Sequence, residues 1–281
     1  MNLRIRPTTF ASKIVLIIAL LLLAFLTVFP FYWLYILATH SRSTIFSAPP
    51  PMIIGDNLRA NYESLMAALP FWRTMWNSLY IAVMATATTL FFCSLGGFAL
   101  SMYDFKGKNF VFGLILGTFL IPPLLNLIPF FLIIQALGWL NEPKALWVPG
   151  MASAFGIFLM RQFFASSMPK SLMDAARIDG ASELRIFWSI GLPLVRSGLA
   201  TLGLITFIQK WNDFLGPLII MRDVEVYTVP LALRSMQGLA GTTPWGTVIL
   251  GAALAVTPLL IIFLFFSRQI IEGLAAGAIK G

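Results

Sequence analysis

The chain has 281 residues, of which 59% are hydrophobic and only 11% charged, and its mean hydropathy is +0.88. Soluble domains carry about 25% charged residues, so this composition excludes an ordinary soluble fold. The net charge of +8 does not indicate a nucleic-acid-binding protein, because the basic residues lie at the ends of apolar runs and form no dense patch. The single cysteine, Cys93, forms no disulfide within the chain and is interpreted as a packing residue.

Six apolar runs are each long enough to cross a bilayer as a helix, which takes about 20 residues. They are Ile14–Leu37, Ser78–Met102, Phe110–Leu137, Ala145–Phe164, Gly198–Ile220 and Thr247–Phe266. None alternates polar and apolar residues as a barrel strand does, so helices are predicted. The first run is longer than the core of a signal peptide, about 7–15 residues, and is predicted to be retained. The sequence therefore predicts an all-α membrane protein with about six transmembrane helices.

The distribution of lysine and arginine predicts the orientation of these helices. With the N-terminus inside, twelve basic residues fall on the cytoplasmic side and six on the outer side, and such an excess marks the cytoplasmic face. This topology divides the chain into a cytoplasmic segment (1–13), a transmembrane domain (14–267) and a cytoplasmic tail (268–281). Both termini are predicted to be cytoplasmic.

The longest outer segment covers residues 38–77. Within it, Asn61, Leu65, Ala68 and Trp72 recur at helical spacing, which predicts a helix lying at the membrane surface. This helix is either a docking surface for an external partner or an interfacial anchor, and the sequence does not separate the two. His40 is the only histidine of the chain and is assigned no metal.

The longest inner segment covers residues 165–195 and predicts two short helices. Pro169 opens the first, Asp179-Gly180 breaks it, and Ala181–Ile190 forms the second, which closes before Pro193. This helix-turn-helix is too polar for lipid and too apolar for a linker. We interpret it as a ridge that fits a groove on another protein.

The same segment carries a specific motif. It reads Asp174-Ala175-Ala176, three residues, Gly180, nine residues and Ile190-Gly191-Leu192-Pro193. It resembles the EAA loop of permease subunits in ATP-binding-cassette (ABC) importers, with Asp174 in place of the usual glutamate. The run Trp211-Asn212-Asp213-Phe214 and the closing residues 272–281 are similar to those of the MalG-like carbohydrate-uptake family.

The resemblance implies a complex of several subunits. Its expected architecture is that of a type I ABC importer permease, in which an EAA coupling helix contacts an ATPase. The expected partners are a second, homologous permease, two cytoplasmic ATP-binding subunits, an extracytoplasmic substrate-binding protein and the lipid bilayer of a bacterial or archaeal plasma membrane. The implied coupling residues are Asp174, Ala175, Ala176, Arg177, Asp179, Gly180 and Pro193.

The resemblance also implies where the chemistry lies and what is carried. The chain contains no G-x-x-x-x-G-K-[ST] phosphate-binding loop, so it is predicted to be no enzyme and to hold no cofactor of its own. ATP and Mg²⁺ are expected on the partner ATPases. The implied substrate is a sugar: an oligosaccharide, a disaccharide or a related polyol or glycerol derivative.

Polar residues within the fifth run are candidates for the substrate pathway. Lys210 and Asp213 are charged residues inside an apolar span, where charges usually face a cavity or each other. Trp211 and Asn212 offer an aromatic face and an amide to a sugar, and Asn126 is a weaker candidate beside Pro122-Pro123. A structural polar cluster explains the same residues equally well.

Two other classes of protein compete with the importer permease. A secondary transporter or channel would work without ATP and often shows more intramembrane carboxylates or an internal repeat. A membrane-bound enzyme would need a cluster of His, Cys, Asp or Glu at the end of a span, whereas His40 and Cys93 are far apart in the sequence.

Overall fold

The computed structural model describes residues 10–238 and 243–278, and within these ranges the regular structure is entirely helical. The chain divides into two compact units. The smaller comprises residues 1–68 and 236–256, and the larger comprises residues 69–235 and 257–281. The all-α prediction is confirmed. Residues 1–9 of the predicted N-terminal segment and 279–281 of the predicted tail lie outside the described residues.

The smaller unit contains α1 (Phe10–Leu37), a turn at Arg42–Ile45, α2 (Leu58–Ala68) and the first part of α12 (Trp245–Ala278). Along α1 the apolar side chains between Ile14 and Val28 are exposed. Such a surface is unfavourable in water and is expected for a span whose solvent is lipid.

Polar contacts hold the outer segment of the smaller unit. The side-chain amide of Asn61 donates to the carbonyls of Ala38 (2.9 Å) and His40 (3.0 Å). The Nε2–H of His40 donates to the carbonyl of Ile53 (2.9 Å), so this histidine fastens a loop. The helix predicted from this spacing is present as α2, which carries Asn61, Leu65 and Ala68 and ends at Ala68. Its extension to Trp72 was wrong, because Trp72 lies in the next helix.

The larger unit contains the remaining helices. They are α3 (Phe71–Met102), α4 (Lys108–Phe119), α5 (Leu127–Ala136), α6 (Ala154–Ser167), α7 (Lys170–Ile178), α8 (Glu183–Ile186), α9 (Arg196–Trp211), α10 (Leu215–Ile220), α11 (Val229–Ser235) and the rest of α12. Short helical turns lie at Pro123–Asn126, Lys144–Trp147 and Val224–Val226, and α8 continues through a π-helical turn at Phe187–Gly191 to Leu192–Leu194.

Helix α3 is the centre of the larger unit and packs against α6 and α9. Small residues permit the approach to α6: a Cβ on Gly97 would lie 2.7 Å from the backbone nitrogen of Arg161, and one on Gly156 would lie 2.6 Å from the sulfur of Cys93. Close contact through small residues is typical of membrane helices. Cys93 is fully buried in this contact, which confirms its packing role.

Only some of the six predicted spans are single helices. Among the described residues, Lys13–Leu37, Phe71–Met102 and Trp245–Phe265 are long and apolar enough to cross a membrane, and two bent helix pairs raise the number to at most five. The third run bends by 94° between α4 and Pro123–Ala136, because Pro122 and Pro123 supply no backbone N–H donors. The tail predicted from residue 268 is helical as far as Ala278.

The fourth and fifth runs also differ from single spanning helices. The fourth consists of the turn at Lys144–Trp147 followed by the 14-residue α6. The fifth is interrupted between α9 and α10 at residues 212–214. At its other end, α9 meets the segment Glu183–Leu194 at an angle of 79°. The inner segment 165–195 and the fifth run therefore join through a single sharp bend.

Candidate coupling loop and pathway residues

Helix α7 ends in a turn that requires glycine. Gly180 has φ +79°, its N–H donates to the carbonyl of Arg177, and the N–H of Ala181 donates to the carbonyl of Ala176, both at 3.0 Å. These two bonds form a Schellman motif, in which the residue after the helix takes the left-handed conformation. The turn predicted at Asp179-Gly180 is confirmed.

The second part of the loop begins at Ser182, whose hydroxyl accepts from the N–H of Arg185 and caps α8. The helical path then runs through Pro193 to Leu194, so the prediction that it closes before this proline was wrong. The π-helical turn at Phe187–Gly191 precedes the proline, which lacks an N–H and would clash with the carbonyl four residues earlier in a regular α-helix. The changed register lets the chain pass Pro193 before the bend into α9.

One face of this loop is buried in the protein. Met173 and Ala176 on α7 pack with Phe187 into a cluster that also contains Phe98 of α3 and Phe164 of α6. The ring centroids of Phe98 and Phe164 are 5.3 Å apart, and those of Phe98 and Phe187 are 5.4 Å apart. The loop is therefore anchored on the core helices. Ala176, one of the implied coupling residues, belongs to this inner face and is buried.

The opposite face exposes large apolar side chains. Ile178 is 87% exposed and Leu184 is 68% exposed, and we define the exposed ridge as these two residues. Trp188 is 54% exposed but stacks on Phe91 of α3, with ring centroids 6.2 Å apart. Asp174, Ala175 and Asp179 are exposed on the same loop. The ridge therefore joins apolar surface to flanking charge, as expected of a docking surface for another protein.

Arg177 forms contacts inside the loop. Its Nε–H donates to Oε1 of Glu183 at 2.7 Å, and its Nη1 lies 3.4 Å from Oδ1 of Asp174. Its guanidinium lies 5.8 Å from the ring centroid of Tyr103. The hydrogen bond from Arg177, followed by one from Tyr103, lowers the pKa of Glu183. The guanidinium thus closes the turn from within, rather than standing free to pair with an acidic residue of a partner.

Lys210 lies in the last turn of α9, and Asp213 lies within the break that separates α9 from α10. Their Nζ and Oδ2 atoms are 3.7 Å apart, Lys210 donates to the carbonyl of Leu146 at 2.9 Å, and Asp213 accepts from the N–H of Gly216 at 3.2 Å. A cation is favoured at the end of one helix and an anion at the start of the next. The two charges therefore stabilise each other, and each also forms a hydrogen bond with a backbone group near the break.

This ion pair also borders a cavity of about 240 Å³. The rest of its lining comes from Leu146, Leu215, Gly216 and the segment 123–130 at the bend of the third run. The cavity therefore lies where two interrupted spans meet. Broken helices that line a cavity are a recurring feature of transporter pathways.

The other pathway candidates are not brought into the cavity. Trp211 is only 3% exposed and stacks on Phe207, with ring centroids 5.7 Å apart. It belongs to the core, so its predicted role as a platform for a sugar ring was wrong. The amide of Asn212 donates to the carbonyl of Ile208 at 2.9 Å. Asn126 is exposed at the end of the turn Pro123–Asn126 and is absent from the cavity lining.

Sequence reasoning missed three residues of the loop's surroundings. Tyr103 and Asp104 follow α3, and Glu183 begins α8. Tyr103 donates to Glu183, and Asp104 pairs with Lys170. The two pairs of contacting residues are separated by 80 and 66 positions in the sequence. The only sequence signal for these contacts was the prediction that both segments lie on the cytoplasmic side. Among the described residues, no three His, Cys, Asp or Glu side chains are grouped to hold a metal.

Comparison with known proteins places this arrangement in a family. Residues 93–274 match the model of the binding-protein-dependent transport system inner membrane component. The chain is 34% identical to the arabinooligosaccharides transport system permease protein AraQ of Halalkalibacterium halodurans, over 98% of this chain and 99% of that one. It is 36% identical to the lactose transport system permease protein LacG of Rhizobium radiobacter, over 92% and 93%.

Two further matches extend the comparison. The sn-glycerol-3-phosphate transport system permease protein UgpE of Escherichia coli K12 is 35% identical, over 88% of this chain and 90% of that one. A solved bacterial ABC transporter that imports the acidic polysaccharide alginate has the same fold, with a TM-score of 0.80 at 22% identity, over 94% of this chain and 99% of that one. The chain belongs to the family of binding-protein-dependent transport system inner membrane components, the permeases of ABC importers.

Proposed function

We propose that this chain is one of two permeases in an ATP-driven importer of sugars, and that its exposed ridge docks on a cytoplasmic ATPase subunit. The observation that carries the proposal is the two-faced loop at residues 165–195. Met173, Ala176 and Phe187 anchor its inner face on the core helices, while Ile178 is almost fully exposed on the outer face. Burying that face against a partner would be favourable, since about 25 cal/mol is gained per Å² of apolar surface removed from water.

The topology proposed for this subunit has six membrane crossings with both termini in the cytoplasm. Contacts within the larger unit support it. Asp104 pairs with Lys170, and both belong to segments predicted inside. Arg73 pairs with Glu225 at 2.9 Å, and the amide of Asn141 donates to Asp223 at 2.6 Å, all in segments predicted outside. These pairings support the proposal that the interrupted third, fourth and fifth runs also cross the membrane, each as a broken span.

The partners follow from family membership and from what this chain lacks. ATP and Mg²⁺ would be bound by two ATPase subunits, since no phosphate-binding loop occurs in the sequence. An extracytoplasmic binding protein would deliver the solute, and a second permease would complete the pathway in the plasma membrane. The substrate class is inferred from the relatives, whose names specify arabinooligosaccharides, lactose and sn-glycerol-3-phosphate.

The proposed contribution to the pathway is the cavity beside Lys210 and Asp213. Both side chains are 27% exposed, and their charges offer hydrogen bonds to hydroxyl groups. The cavity lies between the bend in the third run and the break at residues 212–214. At these two points, rigid-body rocking of the helices would open the cavity to one side of the membrane or the other.

Copurification of the ATPase tests the proposal. The permease is expressed with its partners, with Ile178→Asp and Leu184→Asp as the test variants and Ile53→Asp, an exposed site outside the loop, as the matched control. We expect at least a tenfold loss of copurified ATPase for the ridge variants and none for the control. Uptake of labelled arabinooligosaccharide, lactose, maltose and sn-glycerol-3-phosphate then identifies the substrate. Full ATPase recovery with both ridge variants would refute the docking surface.

A further inference from the structure

Two adjacent residues at the end of α3 hold the coupling helix α7 at both of its ends. The carboxylate of Asp104 pairs with Lys170, the first residue of α7, and with Lys108 at 3.1 Å. The hydroxyl of Tyr103 donates to Glu183, whose other oxygen accepts from Arg177 in the last turn of α7.

We propose that this pair, Tyr103 and Asp104, is a second mechanical link, which carries displacement of the coupling helix directly to the end of α3. The inference rests on the proposed docking function and adds a route that does not pass through Pro193. The residues are positioning residues: neither belongs to the exposed ridge or to the cavity of the pathway.

The geometry favours a rigid link over a pivot. Lys170 and Arg177 lie about 10 Å apart along α7, at about 1.5 Å per residue. A helix held at one point can rotate about that point, whereas a helix held at two separated points must move with its support. The contacts are exposed and each is individually weak, so the rigidity of the link comes from their number and spacing.

The link is also firmly joined to α3. Met102, the last residue of that helix, is buried, and the ring of Tyr103 packs edge-on against Phe98 with centroids 5.8 Å apart. Lys108 additionally donates to the carbonyl of Tyr103 at 2.8 Å, which closes the joint between α3 and α4. Because α3 packs against both α6 and α9, a push delivered at Tyr103 and Asp104 reaches the centre of the larger unit.

The first test measures solute transported per ATP hydrolysed in proteoliposomes that contain the whole complex. The test variant combines Tyr103→Phe with Asp104→Asn, and Lys106→Gln, an exposed lysine of the same loop, is the control. We expect an unchanged yield of assembled complex and at least a fivefold fall in the transport-to-ATP ratio for the test variant only. An unchanged ratio would overturn the proposal. The exchange Asp104→Lys with Lys170→Asp is expected to restore the ratio that Asp104→Lys alone loses.

A crosslinking test applies even if those variants assemble poorly. Cysteines replace Asp104 and Lys170 in a chain carrying Cys93→Ala, and the pair is joined in the assembled complex by a short, reducible thiol-specific crosslinker. The proposal expects uptake to survive the crosslink, since the two segments move as one body. Uptake abolished by the crosslinker and regained on its reduction would overturn it. The ridge variants separate failure of this proposal from failure of the proposed docking. If Ile178→Asp loses the copurified ATPase while the Tyr103 and Asp104 variant keeps a normal transport-to-ATP ratio, the link is refuted and the docking surface is retained.

Discussion

Arg177 and Glu183 face each other across the Gly180 turn, with Nε and Oε1 2.7 Å apart. Together with the Schellman hydrogen bonds, this pair closes the loop at residues 165–195 within the subunit. The loop is therefore shaped before any partner binds, and little conformational entropy remains to be lost on docking.

The pair predicts a modest, non-additive effect on stability. Arg177→Ala and Glu183→Gln should each destabilise the purified subunit only slightly, because partly exposed ion pairs contribute little to stability; the two side chains are 37% and 49% exposed. The double variant should lose less than the sum of the single effects. Chemical denaturation followed by tryptophan fluorescence measures this, with Lys106→Gln as a neutral control. Strictly additive losses would show that the two residues do not interact.

Gly180 should tolerate asparagine far better than leucine. A φ of +79° is costly for residues other than glycine and asparagine, whereas a Cβ added at Gly180 would meet no other atom of the chain within 4 Å. Backbone strain of about 1–2 kcal/mol is thus the whole cost within this subunit. We expect Gly180→Leu to lower ATPase activity stimulated by the binding protein sharply, and Gly180→Asn to retain most of it. Equal activities would show that the left-handed turn has no part in coupling.

The hydroxyl of Tyr103 should lose its proton only at a pH well above the ordinary pKa of tyrosine. Burial and the hydrogen bond to Glu183 raise its pKa to about 12, so its contribution to stability is complete below about pH 10, the ordinary pKa, and is lost as the pH rises through about 12. The difference in ultraviolet absorption between the native protein and Tyr103→Phe should therefore show a tyrosinate transition near pH 12. A transition near pH 10 would mean that neither burial nor the hydrogen bond to Glu183 acts on this hydroxyl.

The carboxylates of the same network behave in the opposite sense. Hydrogen bonds from Lys170 and Lys108 lower the pKa of Asp104, and Arg177 lowers that of Glu183. Their contribution is complete above their ordinary values, about 3.9 and 4.3, and is lost as the pH falls through the lowered ones. All of these contacts should thus persist between about pH 5 and pH 10, where the transport-to-ATP ratio should stay constant.

Lys210 and Asp213 should behave as a pair, and Trp211 as a core residue. Lys210→Ala or Asp213→Ala leaves a lone charge in the membrane, so each should reduce assembled complex more than the double variant does. Trp211→Ala should cost about 3–5 kcal/mol of stability, whereas Trp211→Phe should keep most of the stacking on Phe207. Detergent gel filtration measures assembly. Normal stability of Trp211→Ala with impaired uptake would restore the substrate-contact interpretation.

Local sequence signals predicted the coupling loop well and the long-range contacts poorly. The Asp179-Gly180 turn followed from two adjacent residues, because a helix stop and a positive φ are local properties. The burial of Trp211 depends on Phe207 one turn earlier and on Ala82 of α3, and no local pattern distinguishes a stacked core aromatic from a sugar platform. Likewise, hydropathy predicted six apolar runs, but the bend at Pro122-Pro123 and the helix break at residues 212–214 depend on how neighbouring segments satisfy the freed backbone groups.

Site-specific crosslinking tests the central claim, that the exposed ridge seats on an ATPase subunit. In a chain carrying Cys93→Ala, single cysteines replace Ile178, Leu184 or the buried Met173, and a short bifunctional reagent is applied to membranes that contain the full importer. We predict crosslinks to the ATPase from positions 178 and 184 and none from 173, with yields that change when ATP is added. The absence of crosslinks from both ridge positions in an assembled, transporting complex would contradict this claim.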